Sequence, residues 1–135
     1  MVDPEIQNTV ASYLARAHQM LDTSRLTLDH GDFITTVNRA YYAVFYAANA
    51  MLATQHMERS KHSGVIATFR EHFVKTGLIE SEYSDWYGAL LDTRQRGDYS
   101  LEAMLGEARA RELLEQAGQF VSRVERYLRD EGFLR

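Results

Sequence analysis

The chain has no cysteine, a single proline and a single tryptophan in 135 residues. Without cysteine, neither a disulfide framework nor a thiolate metal site is available. No run of about twenty apolar residues occurs, so no membrane-spanning helix is expected. The opening Met1-Val2-Asp3-Pro4-Glu5 lacks the charged-then-apolar pattern of a signal peptide, and the expected location is the cytoplasm. Lysine is scarce too, with only Lys61 and Lys75. The basic residues are therefore mostly arginine, which suits bidentate contacts to carboxylate or phosphate, although codon preference explains the excess at least as well. A net charge of −4 argues against a general electrostatic grip on nucleic acid. Any phosphate binding must come from a local cluster. His18, His30, His56 and His72 stand in no paired spacing with carboxylates, so neither a metal nor a cofactor is expected.

What the chain does have is helical periodicity. Asp3 and Pro4 form a helix start. Ile6, Val10, Leu14, Ala17, Leu21 and Leu28 then recur at helical spacing to about residue 29, where Gly31 ends the helix and Asp32 caps the next. The second helix, from about 33 to 56, holds the stretch around which the chain is organised, Asn38 to Leu52. Its alanines at 40, 43, 47 and 50 form a narrow small-residue stripe, and Tyr41, Phe45, Ala48 and Leu52 a second apolar line. Such a helix is expected to be nearly surrounded by protein.

Ser60-Lys61-His62-Ser63-Gly64 starts a third, shorter helix through Val65, Ile66, Phe69, Phe73 and Val74, ended by Gly77. Ser81 caps a fourth helix whose inward face is Tyr83, Tyr87, Leu90 and Leu91. Extending that face reaches Arg94, an arginine on the apolar side. Gly97 breaks the helix, and Ser100 caps a fifth carrying Leu101, Met104, Leu105, Ala108, Leu113, Ala117, Phe120, Val121, Val124 and Leu128. Glu107 with Arg111, and Glu125 with Arg129, are expected to pair on its wet face. No strand pattern competes. The expected architecture is all-α: one domain over 1–135, an up-and-down four-helix bundle with one additional short helix.

Three places carry polar groups that a plain bundle does not require. Arg39, Tyr42 and Tyr46 share one helical face. Lys61 and His62 stand at a helix start, where free N–H groups favour an anion. Arg94, Asp98 and Tyr99 surround the Gly97 break, with Arg96 beside them. Each has a plainer structural explanation: tyrosines reaching water at a core edge, or a buried arginine held by Asp85, Asp92 or Asp98. Trp86 is read as a packing or interface residue.

Taken in order, Arg39-Ala40-Tyr41-Tyr42-Ala43-Val44-Phe45-Tyr46-Ala47-Ala48, Lys61-His62-Ser63-Gly64, Phe73-Val74-Lys75-Thr76-Gly77 and Arg94-Gln95-Arg96-Gly97-Asp98-Tyr99 form a series. That series resembles the HEPN domain family (higher eukaryotes and prokaryotes nucleotide-binding), in its small stand-alone prokaryotic branch, over about residues 8 to 130. The resemblance implies a helical bundle paired as a two-fold dimer. It also implies partnership with a minimal nucleotidyltransferase as a toxin–antitoxin pair. Many members are metal-independent ribonucleases, whose motif is an arginine followed four to six residues later by a histidine at the dimer cleft. There the arginine stabilises phosphorane charge and the histidine moves protons.

This chain departs from that motif. After Arg94 the histidine positions hold Tyr99, Ser100 and Leu101. After Arg96 they hold Leu101, Glu102 and Ala103. Arg25 and His30 match the spacing but lie at the end of the first helix. The sequence thus yields three readings. The first is a HEPN module that binds a nucleotide, RNA or a partner nucleotidyltransferase through Arg39, Tyr42, Lys61, His62, Arg94 and Arg96. The second is an endoribonuclease acting through Arg94, Asp98 and Tyr99, with His62 as an alternative partner approaching from another helix, and the third a dimeric scaffold in which Arg94 and Asp98 only hold the bundle together. In some relatives a tyrosine near the motif is modified by the partner, which makes Tyr99 a candidate for modification.

Overall fold

The computed structural model describes residues 2–97 and 105–135. Within them the chain is all-helical: α1 Pro4–Asp29, α2 Phe33–Ala53, α3 His62–Phe69, α4 Ser81–Gly97 and α5 Glu107–Asp130. A π-helical turn, Arg70–Val74, continues α3. The four longer helices form the bundle, with α2 packed against α1 and α5 and touching α3 and α4 as well.

The helix ends follow from local chemistry. Asp3 Oδ1 accepts from the Glu5 N–H at 2.8 Å ahead of Pro4, satisfying one of the orphan donors of the first turn. At the other end of α1, Gly31 takes a left-handed φ of 79°. The Asp32 N–H closes back onto the Thr27 carbonyl at 2.9 Å. This is a Schellman closure, whose left-handed residue is most often glycine. Asp32 then caps α2 by accepting from the Thr35 N–H at 3.2 Å.

Two boundaries differ from the expectation. The second helix closes by a similar Schellman turn, the Met57 N–H bonding to the Leu52 carbonyl at 3.0 Å. Here His56 takes the left-handed position, with φ 56°. No glycine marks the stop, so periodicity alone carried the helix too far. The fifth helix begins at Glu107, behind an extended Gly106 at its N-cap, and not from Ser100. Leu105 and Gly106 are non-helical, so Leu105 does not belong to α5. Ser100, Leu101 and Met104 lie outside the described residues. Two smaller expectations on α5 also shift. Ala108 is exposed while Ala110 and Leu114 are buried. Glu107 pairs with Arg111 at 3.1 Å, but Glu125 turns to His18 at 2.8 Å, linking α5 to α1.

The core is built around α2. All the alanines of its stripe are buried, as are Tyr41, Val44, Phe45, Met51 and Leu52. An aromatic layer of Phe69, Phe73, Tyr87 and Phe120 fills the space below, with ring centroids 5.4–6.1 Å apart. Arg70, in the π turn, donates to Ser84 Oγ at 2.8 Å and ties that turn to α4. Trp86 packs edge-on against Tyr83 at 5.1 Å, a packing role. Because interiors are close-packed, enlarging the fully buried Ala47 is expected to be destabilising. Ala47→Leu should lower the unfolding free energy by about 1–3 kcal/mol in denaturant titration. An unchanged midpoint would show that the stripe is loosely packed.

Candidate functional site

The site begins at α2, where consecutive tyrosines leave the helix in different directions. Tyr41 is fully buried, whereas Tyr42 is half-buried at the surface. A buried tyrosine hydroxyl needs a partner. Tyr41 finds it in His62, the first residue of α3, with its oxygen 2.5 Å from Nδ1. What brings His62 there is Asn49, buried on α2 two turns further along. Its amide grips the Arg59 backbone at both ends, accepting from the N–H at 3.1 Å and donating to the carbonyl at 3.2 Å. The connection from α2 to α3 is thereby fixed. The imidazole settles among Phe45, Tyr41 and Tyr42, with centroid distances of 4.8, 5.4 and 5.7 Å.

Arg94 enters from α4. Its Cζ lies 5.1 Å from the ring centres of both Tyr41 and Tyr42, and Nη2 donates to the Tyr42 hydroxyl at 3.2 Å. Cation–π contacts hold the guanidinium without neutralising it. Its Nε is buried and has no hydrogen-bond partner among the described residues. Of the carboxylates proposed to hold Arg94, Asp92 pairs with Arg96 at 3.3 Å and Asp85 is exposed. Asp98 lies outside the described residues. Arg94, Tyr42 and His62, singled out from separate segments, thus come together around Tyr41.

The electrostatics decide which groups are donors. Burial pushes the Tyr41 hydroxyl up to about 12, helped by Tyr42 and opposed by Arg94. It therefore keeps its proton. Burial pushes His62 below its ordinary value, and the Arg94 charge adds to this, so the ring is neutral at neutral pH. The bond to His62 Nδ1 is the hydrogen bond that the Tyr41 hydroxyl makes at ordinary geometry among the described residues, so we assign its proton to that bond. The hydrogen of the neutral imidazole then sits on Nε2. Below them, the Tyr87 hydroxyl is buried and lacks a hydrogen bond of ordinary geometry, although it senses Tyr41. Burial first, and then that neighbour, hold its pKa well above the usual tyrosine value. The cluster thus offers one fixed cation and neutral donors, the chemistry of an anion site.

The other sequence candidates stand apart. Arg39 is half-buried and directs Nη1 to the Met20 sulfur on α1, at 3.9 Å. Arg96 is exposed and turned away on its pair with Asp92. Lys61 precedes His62 at the exposed start of α3, with no side-chain capping bond. Asp98 and Tyr99 lie outside the described residues. Sequence reasoning placed Tyr41 in an apolar line and passed over Asn49. The signal for both was that a polar group on a surrounded helix must have an internal partner. Among the described residues, no group of three or more His, Asp or Glu side chains gathers as a metal site.

A helical bundle with an Arg–Tyr–His cluster between α2, α3 and α4 defines the class. The family model of the HEPN domain matches residues 10–127, and the chain belongs to that family. A UPF0332 protein of Thermotoga maritima is 32% identical over 126 residues, covering 93% of this chain and 96% of that protein. A protein of Methanocaldococcus jannaschii named as a candidate toxin is 28% identical over 130 residues, covering 96% of each. A second protein so named from the same organism is 27% identical over 122 residues, covering 90% of this chain and 83% of that protein.

The two pressures on His62 can be separated. Replacing Arg94 by Gln removes the neighbouring charge and leaves most of the burial, so the His62 pKa should rise towards 6.5 without reaching it. An NMR titration of the imidazole reads this, and an unchanged or lower value would contradict the placement of Arg94. The same depression links pH to stability. Between the folded and the unfolded pKa the unfolded chain binds more protons, so the His62 contribution is full above about 6.5 and falls as pH drops below it. His62→Gln should flatten that part of the stability–pH curve. A curve of unchanged slope there would mean that His62 is not depressed.

Proposed function

We propose that the chain, as one domain, is the HEPN component of a toxin–antitoxin-like pair, working with a minimal nucleotidyltransferase. In this reading it binds a phosphate of a nucleotide or RNA at Arg94, Tyr42 and His62, in a cleft shared by two copies. The observation that carries the binding is the Arg94 guanidinium, held on two tyrosine rings beside a neutral histidine and not on a carboxylate among the described residues. The Arg94 charge meets the phosphate, the Nε2–H of His62 donates to it, and the Tyr42 hydroxyl turns its own hydrogen towards it. The toxin names of two relatives support the broader role.

A second reading, a metal-independent endoribonuclease, is favoured by one observation: His62 stands beside Arg94 although the sequence has no histidine following that arginine. Base chemistry at Nε2 would require the hydrogen to move to Nδ1 and the Tyr41 hydroxyl to turn round. A donor at Nε2 suits binding as it stands, which ranks binding first.

Calorimetry with AMP and a short RNA separates these. Arg94→Ala should weaken binding about 10- to 100-fold, the scale of a hydrogen bond to a charged group. Arg96→Ala should leave it unchanged. Equal binding by Arg94→Ala and wild type would refute the site. If wild-type protein cleaves RNA in the presence of a chelator and His62→Ala does not, the enzyme reading replaces the binding one. Light scattering should show a dimer, and the product of a neighbouring nucleotidyltransferase gene should co-purify. A monomer, or no complex, removes that part of the proposal.

A further inference from the structure

The Arg94 cluster does not end at Tyr42. The Tyr42 ring lies 6.1 Å from Tyr46, one helical turn along α2, with the planes inclined by 34°. The Tyr46 ring is in turn covered by Arg16 of α1, whose Cζ is 5.1 Å from its centre. Arg94, Tyr42, Tyr46 and Arg16 therefore run as neighbours from α4 across α2 to α1. Both tyrosines are half-buried and Arg16 is exposed. Arg39 flanks the strip from the Tyr42–Tyr46 face of α2, resting on Met20, one turn beyond Arg16 on α1. None of the three arginines forms an ion pair with a carboxylate among the described residues. In a chain of net charge −4 this is a local run of positive charge.

Alternating guanidinium and aromatic groups are the chemistry of single-strand binding, in which bases stack on rings and phosphates meet cations. We infer that the strip Arg94–Tyr42–Tyr46–Arg16 is a track for a single-stranded RNA, with one phosphate at Arg94 and following nucleotides on Tyr46 and Arg16. This rests on the nucleotide- and RNA-binding reading above and names its ligand class: a strand, not a mononucleotide. A mononucleotide reaches only the Arg94 end. Arginine and tyrosine are also enriched where proteins pair, so a second copy of the chain is the competing occupant.

The test is fluorescence anisotropy with a labelled oligouridylate, with AMP as competitor, on the full chain. The oligomer should bind more tightly than AMP. Tyr46→Ala should weaken the oligomer about ten-fold, the scale of one lost base stack, and leave AMP unaffected. Tyr46→Phe, which keeps the ring, should restore it. Arg16→Ala should lower the slope of log affinity against log salt by about 0.7, one phosphate contact on a single strand. If the oligomer binds no better than AMP, or both variants leave it unchanged while Arg94→Ala abolishes AMP binding, the track is wrong and the phosphate site stands. Failure of the wild type to bind either ligand removes both proposals. If Tyr46→Ala or Arg16→Ala converts a dimer to a monomer in light scattering, the strip is an interface between copies and the track is overturned.

Discussion

A helix surrounded by protein cannot leave a polar group to water, and this constraint on α2 shapes the rest of the molecule. Three buried polar residues on that helix each draw another segment into place. The Thr36 carbonyl accepts from Ser24 at 2.7 Å, and its hydroxyl meets Thr27 at 2.9 Å, which fixes the end of α1 against the start of α2. Asn49 grips the backbone at Arg59 and sets the path into α3. Tyr41 takes His62 as its partner and supports Arg94 on its face. Burial makes each of these bonds costly to lose, about 1–3 kcal/mol for a group left unsatisfied. The same bonds that complete the core therefore assemble the site.

The small residues of α2 make this possible. Alanines at 40, 43, 47 and 50 let neighbouring backbones approach, which leaves room for large aromatic groups only along the remaining face. Phe45, Tyr41, Tyr42 and His62 meet there as one ring layer. Rings offer an arginine a surface of negative charge without a formal counter-charge. A carboxylate paired with Arg94 would cancel its field, and among the described residues none is paired with it. On α4 the nearby Asp92 is instead engaged by Arg96, one turn along the same helix face. An acidic protein thereby keeps a locally positive, partly dehydrated guanidinium at Arg94.

The fold was largely legible because its signals are local. Gly31, Gly77 and Gly132 all take left-handed conformations just past helices or the π turn, and Asp3 and Asp32 cap where their positions suggest. Misreadings arose where the local signal was missing or ambiguous. His56 performs a glycine's task, and Gly106 opens a helix where a glycine more often closes one. Ala108 and Ala110 have the same chemistry and differ only in direction, so composition could not tell the buried one from the exposed one.

The site was legible in its parts and not in its assembly. A helical period states which residues share a face, and Arg39, Tyr42 and Tyr46 lie on one face of α2. It does not state what that face meets. Arg39 meets the Met20 sulfur, Tyr46 meets Arg16, and only Tyr42 meets Arg94. The same limit applies to the histidine. A motif written as an arginine and a histidine a few residues apart describes two groups on one short segment, whereas chemistry at a phosphate requires only that they be neighbours in space. In this chain the segment after Arg94 has no histidine, yet His62 approaches the same rings from the start of α3. Its route there runs through Tyr41 and Asn49, residues whose roles follow from the need to satisfy buried polar groups and from no spacing rule. Where a motif is incomplete along the chain, the partners demanded by buried polar residues identify which groups gather around its remaining arginine in space.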